Sequence, residues 1–178
     1  GEYPFRRSGT NVAAGNAGTI IRPEQTTVAD LMRAAGYATA AIGKWHLGLG
    51  SETGRQDWND TLDVTPRDLG FDYHYIMAAT ADRVPCVYIE QGRVSQHDPD
   101  APISVSYQQN FEGEPTGRDN PELLTKLRPS HGHDQSIVNG ISRIGDMKGG
   151  GRALWRDEDI DVGTKTKACG FKKRTSNK

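Results

Sequence analysis

Between Thr26 and Gly48 a helical repeat gives way, across a single glycine, to an unbroken apolar run, and few folds accommodate that order. Val28, Leu31, Met32 and Ala35 recur at i, i+3, i+4 and i+7, the stripe of an amphipathic helix of about three turns. Thr26 or Thr27 supplies the N-cap hydroxyl, and Gly36 is placed to end the helix in the left-handed conformation. Ala38 to Ile42 then forms a short run with no polar face, the pattern of a strand buried on both sides of a sheet. A helix feeding such a strand is half of a parallel unit, so the chain reads as α/β.

From Gly70 the pattern turns to strands. Phe71, Tyr73 and Tyr75 alternate with polar residues, and Val84 to Ile89 with a turn at Gln91-Gly92 predicts a hairpin returning through Arg93 and Val94. Residues 95 to 136 are crowded with Pro, Gly, Asp and Asn and read as a long ordered loop. After Asp161 no acidic residue occurs while lysines accumulate, which predicts a solvated or disordered tail over 163 to 178. The Lys172 to Arg174 run within it reads as solvated charge before it reads as a nucleic-acid patch.

Composition excludes some functions. With 22 Lys and Arg against 23 Asp and Glu the net charge is -1, so no global field draws the chain to nucleic acid or to a membrane surface. No stretch approaches the roughly 18 apolar residues of a membrane span, and Gly1 to Thr10 lacks the apolar run of a signal peptide. Only 34% of the 178 residues are hydrophobic, which predicts a thin core. Cys86 and Cys169 are the two cysteines; Cys169 sits in the basic tail with no reason to meet Cys86, and no disulfide is expected.

Chemistry concentrates in Gly43-Lys44-Trp45-His46-Leu47-Gly48, just past the predicted strand. In open α/β sheets ligands bind beyond the carboxyl ends of strands, and alternation along an extended chain turns Lys44 and His46 to one side. A lysine is a fixed positive charge and a histidine donates a hydrogen bond or a proton near neutral pH, a pair suited to an anionic ester such as a sulfate or phosphate. The plainer alternative is a surface lysine and a satisfied loop histidine. His131 and His133 have the spacing of two zinc ligands on a strand, but the neighbourhood offers only Asp134 or His97 as a third. Trp155 lies between Arg152 and Arg156 and reads as packing with a cation contact.

The run from Ala35 to Gly48 is very similar to the sulfatase signature G-Y-x-T-x-x-x-G-K-W-H-L-G. Gly1-Glu2-Tyr3-Pro4-Phe5-Arg6 resembles the segment just after the sulfatase nucleophile, and Gly70-Phe71-Asp72-Tyr73 resembles the strand that follows the signature. The segments His131 to Asp134, Ser136 to Gly145 and Ala153 to Glu158 look like an insertion found in some bacterial arylsulfatases. The resemblance covers residues 1 to 162, a partial sulfatase domain with a loop-rich insertion at 95 to 136. It implies part of an alkaline-phosphatase-like sandwich with a mostly parallel sheet and flanking helices, truncated at both ends. It further implies hydrolysis of aryl or carbohydrate sulfate esters by a formylglycine nucleophile with a bound calcium ion, in the periplasm or outside the cell. Carried over residue by residue, Lys44 and His46 match the lysine and histidine that contact the sulfate and the leaving group.

The sequence departs from that pattern at the nucleophile and the metal. Neither Cys86, followed by Val87-Tyr88-Ile89-Glu90, nor Cys169, followed by Gly170-Phe171-Lys172-Lys173, has the Pro and Arg that accompany the modified cysteine. The family's aspartate pair and its later Asp-Asn pair, which hold calcium, find no match here; Asp119-Asn120 follows no strand and precedes Pro121. The expectation is a chain inactive alone and poorly able to fold alone. The alternative is a non-catalytic module that binds sulfated ligands around Lys44 and His46.

Overall fold

The computed structural model describes residues 12–175; the Gly1 to Arg6 resemblance lies outside them. Helix α1 (Val28–Ala34) starts at a capping box: the Thr27 hydroxyl accepts the Asp30 N–H, and the Asp30 carboxylate accepts the Thr27 N–H at 2.9 Å. Gly36 follows at φ 85, as its position in the sequence suggests. The apolar stripe does not bury. Val28 is 71% and Leu31 62% exposed, and Ala29 alone among the helix residues is buried. The helix is tethered at its start, where the Thr27 hydroxyl donates to the Leu69 carbonyl at 2.8 Å.

Strand β1 (Ala40–Lys44) begins two residues later than the apolar run and is partly exposed along its length. The reason is its place: the four-stranded sheet runs β1-β2-β3-β4, so β1 is an edge with β2 (Tyr73–Met77) as its one neighbour in that sheet. The two are parallel, in register from Ala40 opposite Tyr73 to Lys44 opposite Met77. Their entry is locked by Thr39 and Asp72, with the Thr39 N–H donating to the Asp72 carboxylate at 2.8 Å and the Asp72 N–H to the Thr39 hydroxyl at 3.0 Å. The crossover between them holds a 3-10 turn at Pro66–Leu69, capped by Thr65 and Asp68. Strands β3 (Tyr88–Glu90) and β4 (Arg93–Val94) form the expected hairpin, and Gln91 and Gly92 both have positive φ, 51 and 87. Two positive φ values in a two-residue turn match the right-handed twist of the flanking strands. The resemblance implied a mostly parallel sheet; this portion is mixed, with β2, β3 and β4 antiparallel to one another in turn.

Short antiparallel pairs complete the body: β5 (Ser104–Ser106) with β8 (Asp146–Lys148), and β6 (Ile137–Val138) with β7 (Ile141–Ser142). The core joins the sheet to this region through Ile76, Val84, Cys86, Val87, Ile89, Met147 and Trp155. Trp155 packs, 5.5 Å from the Tyr88 ring, but without the expected cation contact: Arg152 donates to the His97 carbonyl and Arg156 pairs with Asp159. Both cysteines are free.

The expected disordered tail differs most. Helix α2 covers Ile160–Thr175 and lies against the sheet, with the Lys167 ammonium 2.6 Å from the Glu90 carboxylate and over the Tyr75 ring, and Phe171 stacked on Tyr73 at 5.7 Å. Its own residues stay unburied, which is why no apolar stripe announces it. Tertiary contacts from a lysine and a phenylalanine hold a helix whose composition suggests none.

Candidate functional site

β1 ends at Lys44, and the next two residues are fixed by backbone bonds to the end of β2. The Trp45 and His46 N–H groups donate to the Met77 and Ala78 carbonyls, both at 3.1 Å. His46 itself sits at φ 58, so its direction comes from a left-handed turn rather than from strand alternation. A non-glycine residue held in that region carries strain that the surroundings must maintain. Here they do so through the side chain: His46 Nε2 is 2.8 Å from the Ala13 carbonyl. A carbonyl only accepts, so Nε2 carries the proton and Nδ1 is the free lone pair of the neutral ring.

A strap made of residues 13–20 lies along residues 47–50. Ile20 N–H donates to the Leu47 carbonyl, Leu49 N–H to Ala17 and Thr19 N–H to Gly50, each at 2.9 Å. Gly48 permits it: φ is 78, and a Cβ there would run into the Gly18 carbonyl. Trp45 closes the turn, its Nε1 donating to the Gly48 carbonyl at 2.8 Å. Lys44 is exposed, and among the described residues it has no bonding partner.

Beyond the carboxyl end of β2 stands a second polar group that the sequence does not assemble. Asp82 lies four residues past Ala78, so no more than about 14 Å of chain separates it from the carbonyl that holds His46. His133 Nε2 is 2.8 Å from Asp82 Oδ2, and His133 Nδ1 is 3.0 Å from the Ser130 carbonyl. Both partners are acceptors, so whichever ring nitrogen carries a proton makes its bond as the donor. Burial raises the Asp82 pKa, but bonds from Thr80 and His133 and the charge of Arg83 outweigh it and hold the carboxyl below its ordinary value. Arg83 Nη1 also reaches the Thr80 hydroxyl at 3.2 Å. The pair opens on a cleft of about 390 Å³, whose lining includes Ala81, Arg128, Ser130 and Arg143. Lys44 and His46 lie outside that lining, at the same end of the sheet.

The other candidates resolve differently. His131 and Gly132 both have positive φ, 49 and 80, in a turn closed by the His133 N–H to the Ser130 carbonyl; there is no strand to place the two rings on one face, and His133 is spent on Asp82. Asp119 bonds the Thr116 hydroxyl at 2.8 Å and Asn120 accepts the Thr116 N–H, a local turn. Among the described residues no three His, Cys, Asp or Glu side chains stand together to hold a metal ion. Cys86 is fully buried with its thiol pushed up to about 12 by desolvation, and Cys169 is exposed on α2. The described residues therefore do not fit a calcium ion or the modified cysteine.

Residues 4–139 match the model of the sulfatase family, described as Sulfatase, and the chain belongs to that family. It is 50% identical over 160 residues to an N-acetylgalactosamine-6-O-sulfatase of Bacteroides thetaiotaomicron, an overlap of 90% of this chain and 31% of the relative. A solved sulfatase structure from Bacteroides thetaiotaomicron, described in connection with the metabolism of multiple glycosaminoglycans, superposes with a TM-score of 0.90 at 48% identity. It covers 96% of this chain, which in turn spans 35% of that one. The chain thus spans about a third of the length of the relatives it matches.

Proposed function

We propose that the full-length gene product hydrolyses sulfate esters of carbohydrates, with Lys44 and His46 contacting the sulfate and the leaving group. The observation that carries this is a lysine at the carboxyl end of β1 with no bonding partner among the described residues, beside a turn whose backbone is fixed on both sides, in a chain of the sulfatase family. An ammonium kept free of carboxylates is available to the negative charge of a sulfate, and it stabilises charge that grows in the transition state. His46 contributes through Nδ1, since Nε2 donates to Ala13; a proton passing to or from the ester oxygen passes at Nδ1.

Calcium and formylglycine belong to the family's mechanism, and when bound they supply charge neutralisation and the attacking oxygen. No residue of this chain is assigned to hold either, and the reading proposed for its own residues is binding and orientation of the ester. The Asp82 carboxylate, held by His133, and the Arg83 guanidinium beside it present an acceptor and donors suited to sugar hydroxyls. A carbohydrate sulfate is favoured over an aryl sulfate on this ground and on the 50% identity to a sulfatase of a sulfated amino sugar. A periplasmic or extracellular location is part of the proposal and rests on the family alone.

Lys44→Ala in the full-length gene product should lower kcat/KM for N-acetylgalactosamine 6-sulfate by roughly a hundredfold or more, since one charge-stabilising contact is commonly worth that much. The melting midpoint should not move, because Lys44 is exposed and makes no bond to the described residues. An unaltered rate would remove Lys44 from the chemistry. Absence of turnover in the parent with retained binding of the sulfated sugar would replace the enzyme by the non-catalytic ligand-binding module.

A further inference from the structure

Arg143 heads the fully buried side chains, with 1% of its surface exposed, and the chemistry above makes no use of it. Its guanidinium grips Asp157 with both ends, Nη1 to Oδ1 at 2.9 Å and Nη2 to Oδ2 at 2.7 Å. The same two nitrogens donate to backbone: Nη1 to the Ala81 carbonyl at 2.7 Å, and Nη2 to the Val138 carbonyl at 2.8 Å. Desolvation disfavours the charge, but the Asp157 bonds outweigh it and the group stays cationic. A planar, rigid fork with all four of these bonds fixes the Ala81 carbonyl relative to β6 in both distance and direction.

The neighbouring backbone extends the grip. Ile144 N–H donates to the Asp82 carbonyl at 2.8 Å, and Val84 N–H to the Ile144 carbonyl at 3.1 Å. Asp82 is therefore clasped from Ala81 on one side and Val84 on the other by the consecutive residues 143 and 144. An apolar side chain would fill the volume of Arg143, but it would not orient Ala81.

We infer that Arg143 is a positioning residue for substrate recognition: through the Ala81 carbonyl it sets the Asp82 carboxylate against His133, and so governs how sugar hydroxyls are received. This rests on the carbohydrate sulfate reading proposed above. The test is Arg143→Lys in the full-length gene product, with N-acetylgalactosamine 6-sulfate and 4-nitrophenyl sulfate as the two substrates. Lysine keeps a charge but cannot hold Asp157, Ala81 and Val138 together. The sugar sulfate should lose roughly tenfold or more in kcat/KM, through a raised KM, while the aryl sulfate, which has no hydroxyls to place, stays within about twofold.

Equal losses on both substrates, or no loss on the sugar sulfate, would overturn the assignment. Asp157→Asn keeps the bond to Ala81 and should show a smaller loss of the same selectivity; it serves if Arg143→Lys does not fold, and an equal effect on both substrates again overturns the assignment. A parent protein that turns over neither substrate sinks the sulfatase reading instead. In that event amide exchange decides: in the substituted protein the Ile144 and Val84 amides should exchange faster while those between β1 and β2 do not, and unaltered exchange at Ile144 and Val84 would refute the positioning role.

Discussion

His74 is the residue whose environment most directly predicts a response to pH. It is fully buried in β2, its Nε2 accepts the Gly92 N–H at 2.8 Å, and its Nδ1, which must then carry the proton, has no partner. Burial, helped by the charge of Arg67, pushes its pKa down from 6.5 to about 4. The folded state thus holds the ring neutral where the unfolded state protonates it. Stability from this group is complete above pH 6.5, is lost as pH falls toward about 4, and amounts to about 3 kcal/mol over the window. Urea unfolding at stepped pH should show that slope, and His74→Gln, which retains an acceptor for Gly92, should flatten it. Gly48→Ala should cost roughly 1–3 kcal/mol in the same assay, because a positive φ and the Gly18 carbonyl both oppose a Cβ. At this scale a contiguous motif singles out Lys44 and His46, the residues proposed to contact the ester. The pairing of Asp82 with His133 and the grip of Arg143 on Ala81 were not legible, because these contacts span 51 and 62 residues with no period to mark them. The one available signal was an Asp-Arg pair shortly after the carboxyl end of a strand.

Among elements, α1, β1, β2 and the β3-β4 hairpin follow from local rules: a capping box, an apolar run, alternation and a two-residue turn. Burial did not follow from those rules. A stripe at helical spacing fixes which face is apolar, not whether a neighbour covers it, and in α1 the face stays open. Helix α2 was illegible for the converse reason, since its hold on the sheet comes from the Lys167–Glu90 ion pair and aromatic contacts instead of a stripe. Phe171→Ala combined with Lys167→Ala should therefore release α2, seen as fast amide exchange over 160–175, and leave the β1 and β2 amides protected.

At the scale of the whole molecule, the open face of α1 and the edge of β1 are adjacent in sequence and both lack partners among the described residues. Apolar surface next to unpaired strand edges favours association. The 178-residue chain alone should elute as concentration-dependent oligomers, and Leu31→Lys should shift it toward monomer; a sharp monomer at all concentrations would contradict this. The grip of Asp157 on Arg143 bears, finally, on events before the molecule is whole. Asp82 leaves the ribosome 75 residues ahead of Asp157, about 4 to 15 seconds at ordinary elongation rates. Throughout that interval the Arg143 guanidinium has no carboxylate to grip, so the side of the site proposed to receive the sugar gains that restraint late in translation, well after the strand that carries Lys44 has been made.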